Sequence, residues 1–337
     1  MALQGFTRYR KHQVGVNQSS ASSNVAATRV LPYRGAIKYD PQRTFPDVDT
    51  GSIDPILAPF FGAVEQTVTW DGKAAFDDLP NIYGPGIKGG VTPTGAGPYT
   101  WTYTAASLTA DPWDYVTDEW GDDATTDLIT SGGGVIDTWS LTMPETLEPL
   151  DLNANLVFAR TEFGDGRTGG LTLTSTPAWV YGAHTVVYMN TTAVNIGITP
   201  LLNDVHGFSF TVNNNVDRKR FANGSNSGFQ IQDFGRGPRE VEFKLTLAKN
   251  AQTIAEAQTL DDVPVPIRYF DIKTTSTEIA GGSTPYSNSI RFPARLMARD
   301  DGEINNNSTI ELTYTGVYDA TLAYALKVVV VNARSAL

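Results

Sequence analysis

The sequence predicts a mainly β protein built from tandem β-sandwich or barrel domains, each flanked by a short α-helix. Three observations carry that expectation. Short runs rich in Val, Thr, Tyr, Phe and Trp recur along all 337 residues. Several of them alternate apolar and polar residues with a period of two. Only two segments carry a helical signature. A hydrophobic fraction of 41% against a charged fraction of 18% fits a folded chain, because disorder needs fewer apolar and more charged residues.

The elements follow in order. Residues 18–28, QSSASSNVAAT, belong to an irregular N-terminal arm over 1–29. After the strand GAIKYD, the segment GSIDPILAPFFGAV at 51–64 reads as a helix. Ser52 or Asp54 would cap it and Pro55 is tolerated in its first turn, although Pro59 makes the later part poor helix. EQTVTW at 65–70 is a strand, and 77–98 is an irregular stretch of the length usual for functional arms. YTWTYTA at 99–105 precedes a hairpin of GVIDTWSLTM at 134–143 and LDLNANLVFA at 150–159. In the latter, Leu150, Leu152, Ala154, Leu156 and Phe158 alternate with Asp151, Asn153, Asn155 and Val157, which gives one largely polar face. A Gly- and Thr-rich join follows at 159–177. The second half has strands at 206–214, 239–248, 266–275, 289–298, 308–318 and 322–332. Its helix, KNAQTIAEAQTLDD at 249–262, is capped by Asn250 and carries Ile254, Ala257 and Leu260 on one face. The order of strand, helix, strand and hairpin occurs twice. The expected division is therefore an arm at 1–29, a first sheet-plus-helix domain at 30–165, connecting strands at 166–199 and a second such domain at 200–337.

Charge and residue types exclude several function classes. The net charge is −11, and no Lys or Arg falls between Lys88 and Arg160, where Asp111, Asp114, Asp118, Glu119, Asp122, Asp123 and Asp127 lie close together. Such a field repels nucleic-acid phosphates at close range. Absence of cysteine removes disulfides, thiolate metal sites and thiol nucleophiles together. His12, His184 and His206 are isolated, without metal-binding spacing. GDGRTGG at 164–170 reads as a turn, since it supplies too few oxygens for a calcium site, whereas DDATTD at 122–127 could gather carboxylates around a cation but reads first as an acidic loop. No P-loop and no nucleophile elbow is present. No catalytic site, cofactor or metal is expected. Trp101, Trp113, Trp120 and Tyr115 read as core or interface aromatics ahead of a sugar platform. The basic run at 217–220 reads as a solvated loop or an inter-subunit ion pair. In FQIQDFGRGPREVEFKLTLA at 229–248, Gly235 and Gly237 lie between two β runs with Pro238 behind them, so the segment reads as a turn. No apolar run nears the ~20 residues of a membrane helix, and the start lacks a signal-like apolar core, so the chain is expected to be made and used in soluble form without a membrane.

Several stretches together resemble one family, the major tail-tube proteins of long-tailed, non-contractile bacteriophages. VAATRVLPYRGAIKYDPQRTFPDVDTGSIDPILAPFFG is similar to the family's N-terminal pattern, KGGVTPTGAGPYTWTYTAA with TDEWGDD to its next hairpin, and GVIDTWSLTMPETLEPLDLNANLVFAR to its inner hairpin. TVVYMNTTAVNIGITPLLNDVHGFSFTVNNNVDRKRFANG followed by FQIQDFGRGPREVEFKLTLA resembles the continuation. The resemblance runs from about Gln13 to near the end; order and spacing carry it, each motif alone being weak. It implies a structural subunit without catalysis, assembled in the host cytoplasm and located in the virion tail. Rings of six domains would stack into a tube conducting double-stranded DNA without specific binding, alongside a tape-measure protein and tail-end proteins. A tandem chain would close such a ring as a trimer, favoured over a hexamer. Lumen-facing acids are expected at Asp137, Asp151, Glu303 and Glu311. Arg291, Arg295 and Arg299 depart from an acidic wall and are expected to pack toward a neighbour. Inter-subunit contacts are expected at Arg236 and Arg239 against acids such as Asp118, Asp122 and Asp123. The alternatives are another tail or baseplate component with the tube fold, a secreted carbohydrate-binding β-sandwich, and a hydrolase with an acidic cleft.

Overall fold

A computed structural model describes residues 11–17, 24–44, 60–105, 113–121, 128–164, 168–173, 176–222 and 230–337. The protein is mainly β. The first half holds β1 (Lys11–Asn17), β2 (Arg29–Leu31), β3 (Arg34–Thr44), β4 (Phe60–Lys73), β5 (Tyr99–Thr104), β6 (Tyr115–Gly121), β7 (Ile129–Met143), β8 (Asp151–Val157) and β9 (Arg160–Phe163). The second holds β10 (Thr185–Asn190), β11 (Val205–Asn213), β12 (Val216–Lys219), β13 (Asp233–Arg236), β14 (Glu240–Ala248), β15 (Ile267–Gly281), β16 (Thr284–Ile304), β17 (Asn307–Gly316) and β18 (Lys327–Asn332). Two helices accompany them, α1 (Leu79–Gly86) and α2 (Ala251–Gln258). Every strand pair among the described residues is antiparallel.

Eight strands form a continuous sheet in the order β3, β4, β8, β7, β11, β14, β17, β16. This is one four-strand pattern written twice. In each copy a hairpin-like pair (β3 and β4, or β11 and β14) is followed by a helix. A long strand and its hairpin partner then insert so that the partner lies inside (β8 beside β4, β17 beside β14). The registers agree in detail. Ile37, Val68, Leu156 and Ile136 lie in one row across the first copy, and Phe210, Phe243, Tyr314 and Leu296 lie in one row across the second. Immediately after these rows both long strands carry a bulge, between Ile136 and Thr138 in β7 and between Leu296 and Ala298 in β16. The two copies meet edge to edge, β7 pairing β11 from Thr138 opposite Asn213 to Met143 opposite Phe208.

The rest of each half differs. The first part of β7 leaves the eight-strand sheet and pairs β6 and β9, with β1 and β2 beyond β6. The first part of β16 pairs β15 on one side and β18 on the other, with β10 and β5 outside them. β1 falls within the stretch expected to form an arm, yet it pairs along its whole length with β6.

One apolar cluster runs through both halves. It includes Trp70, Trp139, Leu152 and Leu156 from the first and Phe210, Phe243, Phe270, Phe292 and Tyr314 from the second. Ring centroids of 5.0 Å for Phe210 and Phe292 and 4.8 Å for Phe270 and Tyr314 put these aromatics in direct contact. Each such side chain, fully buried, stabilises the fold by about 1.5–3 kcal/mol.

The helices differ from expectation in one case. The segment 51–59 lies outside the described residues, but Phe60–Lys73 is a strand, so the helix expected over 51–64 is corrected over its last five residues. The inward alternation of Gln66, Val68 and Trp70 shows why: the period is two there, and Pro59 stands just before the strand. Among the described residues the helix of the first half is α1, inside the stretch expected to be irregular. Its sequence LPNIYGPG is poor in propensity, but all eight residues are buried and a proline occupies its first turn, so tertiary packing outweighs propensity. α2 forms where expected, under a capping box in which the Asn250 side chain accepts from Thr253 N and the Thr253 hydroxyl accepts from Asn250 N.

Candidate functional site: a polar sheet face with two open edges

Because strand side chains alternate, the face of the eight-strand sheet turned away from Trp139, Leu152, Phe210 and Phe243 is polar. One row across it reads Arg34, Asp71, Asn153, Ser140, Thr211, Glu242, Thr315 and Arg295. The next reads Lys73, Asp151, Thr142, Ser209, Lys244 and Thr313. Short side chains bond across strands: Thr69 to Asn155 at 2.9 Å, Asn155 to Thr138 at 2.9 Å, and Thr142 with Ser209 at 3.3 Å. Cations on the wall sit beside acids, Lys73 at 2.6 Å from Asp151 and Lys244 at 3.6 Å from Glu242. The surface is a hydroxyl and amide wall with locally balanced charge. α1 and α2 pack on the other, apolar side, where Leu79, Ile82, Tyr83 and Ala257 join the core.

The four acids expected on a lumen wall separate. Asp151 lies on the polar face, beside Lys73. Glu311 lies on it too, opposite Asp300 and Thr246, and borders with Thr142, Ser209 and Lys244 a depression of about 360 Å³. Glu303 is exposed near the tip of the β16–β17 hairpin, opposite Ser308, so alternation turns it to the other face from Glu311. Asp137 is the bulged residue of β7. Its carboxylate accepts from Val216 N at 2.9 Å and its carbonyl from Asn214 N at 2.7 Å, so it anchors the start of β12.

The five arginines expected at contacts with a neighbour, Arg236, Arg239, Arg291, Arg295 and Arg299, each find a partner within the chain. Arg239 donates to Ile87 O at 2.7 Å and to Asn214 Oδ1 at 3.0 Å; Arg236 donates to Ile87 O at 2.9 Å and lies 3.9 Å over the Trp113 ring. Both guanidinium groups thus sit at the C-terminal end of α1, where an unpaired carbonyl and the helix dipole favour positive charge. Arg236 does reach the acidic region, but it meets an aromatic ring there, and in the same chain. Arg291 pairs with Asp271 at 2.9 Å, Arg295 donates to Val265 O, and Arg299 pairs with Asp301 at 3.0 Å. In the 217–220 run, which forms most of β12, Arg218 and Arg220 hold Glu65 at 2.8 and 3.6 Å.

Acids of the 111–127 region are largely interior where described. Asp118, expected at an inter-subunit contact, is wholly buried: His12 Nδ1 lies 3.2 Å away and Trp70 Nε1 donates to it at 3.1 Å. Glu119 is buried and takes both the amide and the hydroxyl of Thr168 at 2.7 Å. Asp122 and Asp123 lie outside the described residues. Asp114 is buried with one bond, from Gly90 N at 2.9 Å, and its Oδ2 finds no hydrogen-bond partner among the described residues. Desolvation pushes its carboxyl up to about 6. Of the candidate sugar-platform aromatics, Trp101 and Trp113 are buried, while Tyr115 and Trp120 are half-buried.

Among the described residues both ends of the eight-strand sheet are open. Among the described residues nothing pairs with the outer edge of β3, or with β16 beyond Arg295 on the side away from β17. Sequence reasoning named neither edge, because an edge is a property of the whole sheet order. A scan of protein-family models and a search of curated proteins found nothing that matches this chain.

Proposed function

We propose that the chain is the structural subunit of a bacteriophage tail tube, a ring-forming protein whose rings stack into a conduit for double-stranded DNA. The supporting observation is the four-strand sheet, repeated in register and joined edge to edge within one chain. A sheet that already continues itself through a head-to-tail joint, and ends on two open edges, is a unit suited to closed rings. Two such units per chain make a ring of six units from three chains. In this reading the polar face lines the lumen and the helices face outward. A wall of Thr, Ser and Asn, with Lys73 and Lys244 held beside acids, offers little to grip a passing phosphate backbone, while Asp151 and Glu311 add repulsion. The role is structural, with no reaction and no cofactor, and the place is the virion tail.

Electron microscopy of the purified protein tests this. Rings or tubes of one uniform diameter are the expected outcome. A monodisperse monomer that binds glycans would replace the reading with that of a carbohydrate-binding module.

A further inference from the structure

The internal joint specifies how one copy of the chain meets the next, given the ring-forming role proposed above. Superposing the two four-strand patterns by their matched rows and bulges makes β3 equivalent to β11 and β7 equivalent to β16. Ile37 then stands for Phe210, and Ala298 for Thr138. The strand that β7 pairs with inside the chain is β11; among the described residues the strand equivalent to β11 that lacks a neighbour on that side is β3, and the strand equivalent to β7 that lacks one is the end of β16.

We propose that residues 298–303 of β16 pair antiparallel with residues 35–40 of β3 in a second copy of this chain, in the register of the β7–β11 joint. That register sets Ala298 opposite Asp40, Arg299 opposite Tyr39, Asp300 opposite Lys38, Asp301 opposite Ile37, Gly302 opposite Ala36 and Glu303 opposite Gly35.

Two features of the edges fit this pairing. Asp300 lies directly opposite Glu311 on β17, a like-charge pair that destabilises a sheet unless a cation neutralises it. Lys38 of the next copy arrives on the same polar face, next to Asp300. Lys38 is 77% exposed, and among the described residues it pairs with Asp40, at 3.9 Å and itself half exposed. The edges are also complementary as a whole, since 298–303 carries Asp300, Asp301 and Glu303 beside Arg299, whereas β3 carries Arg34, Lys38 and Arg43 beside Asp40. The seam stops at Asp40: at the internal joint Asn214, the counterpart of Pro41, donates to Asp137 O, and Pro41 has no N–H to make the equivalent bond to Met297 O.

The absence of cysteine makes a direct test possible. The double variant Asp300→Cys with Lys38→Cys should, on mild oxidation, form disulfides between chains that end at a closed covalent ring on a non-reducing gel. The pair Asp300→Cys with Ala36→Cys, two residues out of register, should crosslink at least ten-fold less. Rings or tubes that form without the first crosslink, or with equal crosslinking from the second pair, would overturn the seam and leave the tube reading intact. Failure of the unmodified chain to assemble at all would overturn both. In a charge-exchange series, Lys38→Asp and Asp300→Lys should each cut the assembled fraction at least ten-fold by sedimentation velocity, and their combination should restore it. Circular dichroism unchanged from the parent, with no restoration in the combined variant, would also overturn the pairing.

Discussion

Asp114 is confined by its neighbours. A Cβ added at Gly84 would come within 2.5 Å of its Oδ2, and one at Gly89 within 2.4 Å of its backbone N, so the absence of two side chains is what admits it. Burial raises its folded value from the usual 3.8 to about 6. The folded chain therefore holds this proton more tightly than the unfolded one. Stability is lost as pH rises from about 4 to 6 and stays reduced above that window. Asp114→Asn keeps an acceptor for Gly90 N and removes the buried charge. It should leave stability nearly unchanged at pH 4 and raise it by about 2–3 kcal/mol at pH 8 in urea unfolding. An equal gain at both pH values would assign the effect to packing. Nothing in the sequence distinguishes Asp114 from the acids around it, because its environment comes from α1, far away in the chain. The same holds for His12 and Asp118, which are 106 residues apart and meet only through the pairing of β1 with β6.

At the scale of elements, the two helices differ in how openly the sequence announces them. α2 shows a cap, good helix formers and an apolar spacing, all local signals. α1 has two glycines and two prolines in eight residues, and what holds it is contact: Tyr83 packs edge-on to Trp139 with centroids 5.3 Å apart, and Asn214 donates to Gly86 O at 2.8 Å. Arg236 and Arg239 complete its end from the turn between β13 and β14, tying the second half to the first. Arg239→Ala should cost about 1–3 kcal/mol, since it removes charged hydrogen bonds to Ile87 O and Asn214 Oδ1. The check is a thermal melt; an unchanged midpoint would mean that Arg236 alone suffices. The hairpins β7–β8 and β16–β17 were legible because each pairs strands close in sequence with clear alternation. The break between strands at 237–239 was legible too, from Pro238 and the β runs on both sides, although Gly235, expected in the turn, lies within β13. The targets of its arginines were not.

At the scale of the molecule, the sequence speaks for β content and for a recurring element order. It is silent on the edge-to-edge joint. The β7–β11 pairing links residues whose proximity depends on everything folded between them, and hydrophobic alternation selects a face without selecting a neighbour. For the same reason alternation along the strands marks a polar wall, while which acids share it depends on register: Asp151 and Glu311 fall together, and Glu303 turns away because of its place opposite Ser308.

The matched bulges at Asp137 and Met297 carry a consequence for size. A bulge adds local twist to its strand, and here the same bend is built into both units at the same row. In the proposed ring, circumference then becomes a quantity written into a single residue per unit. Met297 is 60% exposed, and removing it would leave Leu296 opposite Tyr314 and Ala298 opposite Thr313 with no residue between them to bulge. Deletion of Met297 should therefore yield assemblies of altered diameter in electron micrographs, with the fold retained. An unchanged diameter would move the gauge of the proposed tube to some other part of the chain.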